Sequence, residues 1–175
     1  SNIMTSRERI LTALNHEQPD RVPVDFSGHR SSGIAAIAYA RLKKHLGIDS
    51  GDIYVYEMLQ QLAIVEKPIL EGFGVDTIEM GRGFGLDAGD WQDWTLPDGT
   101  PCKVPAFLNL EADGEDWYLC AADGTRMAVM KKGSLYFEQV HFPLMERGID
   151  GDDFSDLPEM CGMTMWAGVP HPGAH

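Results

Sequence analysis

The sequence is short of positive charge, of cysteine and of long apolar runs, and each shortage closes off a class of function. Lys and Arg number 14 against 27 Asp and Glu, for a formal net charge of −13 and a pI near 4.7. A surface that tracks nucleic-acid phosphates needs clustered cations, so nucleic acid is not an expected partner. The three cysteines, Cys102, Cys120 and Cys161, form no C-x-x-C pair and no Cys/His cluster. A disulfide frame or structural zinc site is therefore not expected, and buried thiols packing as small hydrophobes are the plain alternative. No run approaches 18 apolar residues, and no basic n-region precedes an apolar h-region, which argues against a membrane partner and for a cytoplasmic setting. Nor is there a G-x-S-x-G elbow, a Walker loop or a paired-carboxylate constellation.

What is present looks like an ordinary globular chain. Hydrophobic residues make up 43% and charged residues 23% of 175, room for one domain and too little for two. Ser1-Asn2-Ile3 reads as a cloning remnant, so residues 1–4 are set aside as tag and start. Thr5-Ser6-Arg7-Glu8 fits a capping box ahead of Ile10, Leu11 and Leu14, predicting a helix over 6–16 closed by Pro19. Val22-Pro23-Val24-Asp25-Phe26 leans to strand, with Pro23 tolerable near a start or edge. Residues 27–33 are a loop. Ser31 or Ser32 is placed to cap a second helix burying Ile34, Ile37, Ala38, Leu42 and Leu46, with Gly47 as its left-handed end. A short strand over 53–55, a helix over 56–73 broken or kinked at Pro68, and a strand over 75–80 complete an alternating run through residue 90.

The pattern changes at Trp91. Asp98-Gly99, Asp113-Gly114 and Asp123-Gly124 each separate β-leaning stretches, as tight hairpin turns do. Residues 91–142 therefore read as an antiparallel meander over 91–96, 103–110, 116–121, 126–131 and 135–142. Residues 143–175 form an irregular tail. The alternation over 5–90 is that of an α/β layered fold; a closed (β/α)8 barrel takes about 250 residues, so if this is TIM-type barrel material the chain holds only its opening part, followed by the meander.

Arg7-Glu8-Arg9-Ile10-Leu11-Thr12-Ala13-Leu14-Asn15-His16, with Pro19-Asp20-Arg21-Val22-Pro23-Val24 after it, resembles the opening of the uroporphyrinogen decarboxylase superfamily. Tyr56-Glu57-Met58-Leu59-Gln60-Gln61-Leu62-Ala63 and Leu70-Glu71-Gly72-Phe73-Gly74-Val75-Asp76 are similar to its next block. The resemblance covers residues 7–80 and is loose beyond Trp91. It implies a (β/α)8 barrel that often dimerises, and one of two chemistries: corrinoid-linked methyl transfer, or decarboxylation of a tetrapyrrole's acetate side chains. It also implies that this chain is a fragment, whose missing later half would, in the methyltransferase branch, carry a zinc set of His and Cys; a half barrel with uncovered strand edges is expected to be inactive alone. The decarboxylases' Arg-rich loop is matched by residues 27–33, with Arg30 the one guanidinium. Their catalytic Asp falls at Gly83, beside Arg82, and this departure ranks decarboxylation below methyl transfer. A non-catalytic assembly or binding module is the third reading.

Asp25, His29 and Arg30 follow the first expected strand, at the rim where β/α barrels hold their active sites. Arg30 suits a substrate carboxylate through a two-pronged hydrogen bond, as does Arg82 after the later strand. His29 suits proton exchange near neutrality, with Asp25 beside it as a second catalytic candidate. The plain alternatives are a loop cap for Asp25, solvated side chains for His29 and Arg30, and pairing of Arg82 with Asp87 or Asp90. The expected ligand is an anionic small molecule of the tetrapyrrole or corrinoid class, in a homodimer. No cofactor is assigned to this chain alone. Gly83-Phe84-Gly85-Leu86-Asp87-Ala88 matches a dinucleotide fingerprint but precedes no helix. His171-x-x-x-His175 has a metal spacing that Pro172 and Gly173 deny to a helix. Tyr56, Trp91, Trp94, Trp117 and Tyr118 either stack on a macrocycle or fill a core.

Overall fold

A computed structural model describes residues 3–80, 87–147 and 154–164. Helix α1 (Ser6–Leu14) begins at the expected capping box: Thr5 Oγ1 accepts from the Glu8 N–H at 3.2 Å, and the Glu8 carboxylate accepts from the Thr5 N–H at 2.8 Å. It ends short of residue 16, because His16 turns to a φ of 60° that no helix continues. A single 3-10 turn, Arg30–Ser32, precedes α2 (Ala36–His45). The serines do not cap α2; Ala35 is its N-cap, and its buried residues are Ala36, Tyr39 and Lys43.

The partial barrel expected over residues 5–90 is not what forms. Its helix over 56–73 is replaced by a hairpin of β1 (Val55–Glu57) and β2 (Leu62–Ala63), antiparallel, with helix only at α3 (Lys67–Gly72). The apolar spacing that suggested a helix belongs to a segment buried on every side. Residues 55–59 and 61–63 are all buried, so the 3.6-residue period carried no information about a face. The Glu57 carboxylate fixes the turn by accepting from the N–H groups of Leu59, at 2.7 Å, and Gln60, at 3.1 Å. Pro68 lies in the first turn of α3, where its missing N–H costs nothing, and so starts a helix that it was expected to break.

The two other expected strands, 22–26 and 75–80, lie beside each other without forming a ladder among the described residues. The Asp76 N–H donates to the Val24 carbonyl at 2.8 Å. The reciprocal Val24 N–H is taken at 2.9 Å by the Asp76 carboxylate, not by a backbone carbonyl. Side chains have replaced the sheet. Arg9, 4% exposed, donates to Asp76 at 2.6 Å and to Asp20 at 2.7 and 2.8 Å, while Arg21 reaches Asp76 at 2.8 Å and the Gly74 carbonyl at 2.9 Å. Burial pushes the Asp76 carboxyl upward, but the Val24 N–H, Arg21, Ser6 and Arg9 outweigh it and hold the group well below the usual carboxylate range.

The second half is antiparallel but divided. β3 (Trp91–Thr95) pairs with β4 (Pro101–Pro105) across the Asp98-Gly99 turn. β5 (Asn109–Asp113), β6 (Asp116–Cys120), β7 (Arg126–Met130) and β8 (Glu138–Gln139) form a separate four-stranded sheet in that order. The single strand expected over 103–110 splits at Pro105, which ends one sheet before the next begins. Short helices α4 (Pro143–Arg147) and α5 (Leu157–Gly162) follow. With small antiparallel sheets and no helix–strand alternation, the described fold is mixed and not a (β/α)8 barrel.

One core joins these parts. Tyr39 of α2, Val55 and Met58 of the hairpin, Leu96 and Val104 of the small sheet and Leu119 of the large one belong to one buried cluster. The Lys103 N–H also donates to the Ile53 carbonyl at 2.8 Å, tying β4 to the start of the hairpin. Of the aromatics, Trp94 belongs to this cluster and meets Trp117 edge-on at 5.4 Å, while Tyr56 and Trp91 are buried in a smaller cluster with Leu62. No helix among the described residues is long and apolar enough to cross a membrane.

Candidate functional site

Residues 25–33 form a pinned loop, and they bring Asp25, His29 and Arg30 together. The Asp25 carboxylate accepts from the Gly28 N–H at 3.0 Å and from the Thr77 hydroxyl at 2.5 Å. The Thr77 hydrogen bond is the main reason this carboxyl sits below its ordinary value. Both hydrogen bonds fall on Oδ1, so Asp25 closes the loop onto residue 77 while the residue itself stays exposed. Gly28 is required at the contact: a Cβ there would stand 2.5 Å from Asp25 Oδ1 and 2.7 Å from Thr77 Cβ. Ser27, buried, holds a φ of 64°, and its N–H donates to the Ser32 carbonyl at 2.9 Å.

His29 is exposed, and its Nδ1 accepts from the Ser31 N–H at 3.2 Å. That bond leaves the proton of the neutral ring on Nε2, directed away from the 3-10 turn it caps. Arg30 is half-buried and makes no ion pair or side-chain hydrogen bond with any described residue. Its charge is felt by Glu57, 1% exposed, whose carboxyl is pushed up by burial against the opposing pull of the Leu59 and Gln60 N–H groups and of Arg30. Arg82 lies outside the described residues, as do residues 83–86 of the dinucleotide-like run and His171 and His175.

Beside the loop is a cavity of about 610 Å³. Ser27 and Thr77 line it on the loop side, and Tyr56, Val65, Leu70 and Val75 give it apolar walls. Its size falls within the roughly 300–1,000 Å³ of small-molecule sites. Arg30 is not in the lining but belongs to the loop that forms one side. Sequence reasoning missed two members of this arrangement. Glu57 is a lone carboxylate inside the apolar run 53–65, a signal that was available; Thr77 acts across 52 residues, and nothing local announces it.

The loop presents one guanidinium, Arg30, and one exposed imidazole, His29, beside a cavity whose lining also includes Lys67, Glu71 and Glu79. No group of three His, Cys, Asp or Glu side chains that could hold a metal is gathered among the described residues. All three cysteines are unpaired. Burial raises the Cys102 thiol to about 12, as expected of a thiol used for packing. In comparison with known proteins, the chain matches no family model, no curated protein and no solved structure.

Proposed function

We propose that this chain binds an anionic small molecule of the tetrapyrrole or corrinoid class through the 25–33 loop, as part of an enzyme resembling the uroporphyrinogen decarboxylase superfamily. Corrinoid-linked methyl transfer is the leading chemistry and decarboxylation the second. Arg30 supplies the cation for a ligand carboxylate, and the apolar cavity takes part of the ligand's body. The single observation that carries this reading is Arg30 itself: a half-buried guanidinium without an ion-pair partner among the described residues, on a loop pinned through Asp25 and capped by His29. The free thiols and the acidic composition support a reducing, cytoplasmic setting.

Titration of uroporphyrinogen and of a corrinoid into wild type and Arg30→Ala tests it. Loss of one charge-assisted, two-pronged contact is expected to weaken binding about tenfold or more. Equal affinity of the two proteins for both ligands, or no binding at all, overturns the proposal. A second reading, a self-associating module, is favoured by large exposed apolar side chains: Leu14 at the end of α1 is 69%, Val22 78% and Met80 84% exposed. Light scattering behind size exclusion decides it, because a stable monomer at high concentration ends that reading.

A further inference from the structure

The cavity beside the 25–33 loop is lined by hydroxyls as well as apolar walls, and two of those hydroxyls are committed within the chain. Thr77 donates to Asp25 at 2.5 Å, and Ser6 hydrogen-bonds the Asp76 carboxylate. Ser27 differs from both. It is 7% exposed, and its hydroxyl bonds no described residue. The oxygen is nevertheless not cut off from solvent, so on an enclosed residue of the cavity lining it opens into the cavity. A hydrogen-bonding group is thus turned toward the space between Val65, Leu70 and Val75 with no partner from the chain.

The backbone points the same way. Ser27 holds a φ of 64°, in the left-handed region where a Cβ is disfavoured and glycine fits best. Glycine would sit there with less strain, and what serine adds is the hydroxyl. The Ser27 N–H, donated to the Ser32 carbonyl at 2.9 Å, holds the residue in this conformation across the turn that carries Arg30. Strained residues of this kind gather where a group is held ready for a ligand.

We propose, building on the ligand binding proposed above, that Ser27 is a specificity-determining residue: its hydroxyl hydrogen-bonds a neutral polar atom on the ligand's body while Arg30 takes the carboxylate. A ring N–H of a tetrapyrrole and a side-chain amide of a corrinoid are atoms of this kind. A second ligand carboxylate fits poorly, because one hydroxyl does not offset the loss of water around a charge, and Glu71 and Glu79 also line the cavity. A purely hydrocarbon body would seal the Ser27 oxygen away without a partner, and the site discriminates against it.

Titration of uroporphyrinogen and of a cobalt corrinoid into the full chain and its Ser27→Ala, Ser27→Gly and Arg30→Ala variants tests this role, with urea unfolding of each variant alongside. Both serine variants are expected to weaken whichever ligand binds wild type by about threefold to tenfold, the loss of one neutral hydrogen bond. Ser27→Gly should at the same time unfold at or above the wild-type midpoint, because glycine suits the left-handed backbone. Wild-type affinity in both serine variants, with Arg30→Ala weakened, overturns the role of Ser27 and leaves the binding reading standing. Absence of binding to wild type overturns both. A loss of affinity accompanied by a lowered Ser27→Gly midpoint assigns the serine to the fold and also overturns the proposal.

Discussion

Gly28→Ala is the sharpest single perturbation of the candidate site. The added methyl would stand 2.5 Å from Asp25 Oδ1 and 2.7 Å from Thr77 Cβ. Ordinary contact requires about 3.5 Å, so the overlap approaches 1 Å on two sides, and both sides belong to the clasp that fastens the loop. The loop must move or the Asp25–Thr77 hydrogen bond must open. Overpacking of this kind costs about 1–3 kcal/mol, which at a urea slope of about 2 kcal/mol/M moves the unfolding midpoint down by about 0.5–1.5 M. Urea unfolding followed by tryptophan fluorescence measures it, with the slope unchanged. Thr77→Gly removes the clashing Cβ together with the hydroxyl, so the double variant should regain part of the loss, with a coupling of at least about 0.5 kcal/mol. Strict additivity, or a Gly28→Ala midpoint within about 0.2 M of wild type, would refute the close contact on which the site's rigidity is argued.

Three further outcomes follow from the buried charges. Asp76→Asn leaves Arg9 with Asp20 as its one ion-pair partner among the described residues and should destabilise the chain by about 3 kcal/mol at neutral pH, read from the same unfolding curves. Asp76 has a folded value below the usual 3.8, so its stabilisation is present above that pH and is lost as pH falls; the melting temperature of Asp76→Asn should fall less than that of wild type between about pH 5 and pH 3. Glu57 has the opposite sign: its folded value lies above 4.5, so its contribution is present at low pH and lost as pH rises through that value. Glu57→Gln, whatever its constant offset from losing a turn acceptor, should therefore gain stability relative to wild type from about pH 4 to pH 8.

Local chemistry was legible in the sequence wherever one segment decides its own conformation. The Thr5–Glu8 box starts a helix, Gly47 ends one at a φ of 71°, and each Asp-Gly pair turns a hairpin, because caps and turns are set within four residues. Helix and strand are not separated by pattern at 56–63, because a buried hairpin places Met58, Leu59 and Leu62 inside just as a buried helix does. The barrel expectation then inherited that ambiguity. It also needed strands at 22–26 and 75–80, where Asp76 and Arg21 satisfy the backbone with side chains, a choice made by residues more than 50 positions apart. The site was half legible: Asp25, His29 and Arg30 adjoin in sequence and in space, but Thr77 and Glu57 reach them only through the fold.

The residues that carry the family resemblance divide into two kinds, and the division bears on what that resemblance can mean. Arg9, Asp20, Arg21 and Asp76 are consumed by one another in a buried ionic network that fastens α1 to the 74–77 segment. Glu57 is consumed by the turn between β1 and β2. A charged motif whose groups are all taken reports how a chain is fastened, and it would look the same in a protein with a different ligand or none. Arg30 lies between the two matched blocks and is consumed by nothing among the described residues. Ligand binding therefore rests on a residue that the motif spacing places but does not require. The two kinds separate by experiment: a change at Asp76 should move stability, and a change at Arg30 should move affinity while leaving the unfolding midpoint where it was.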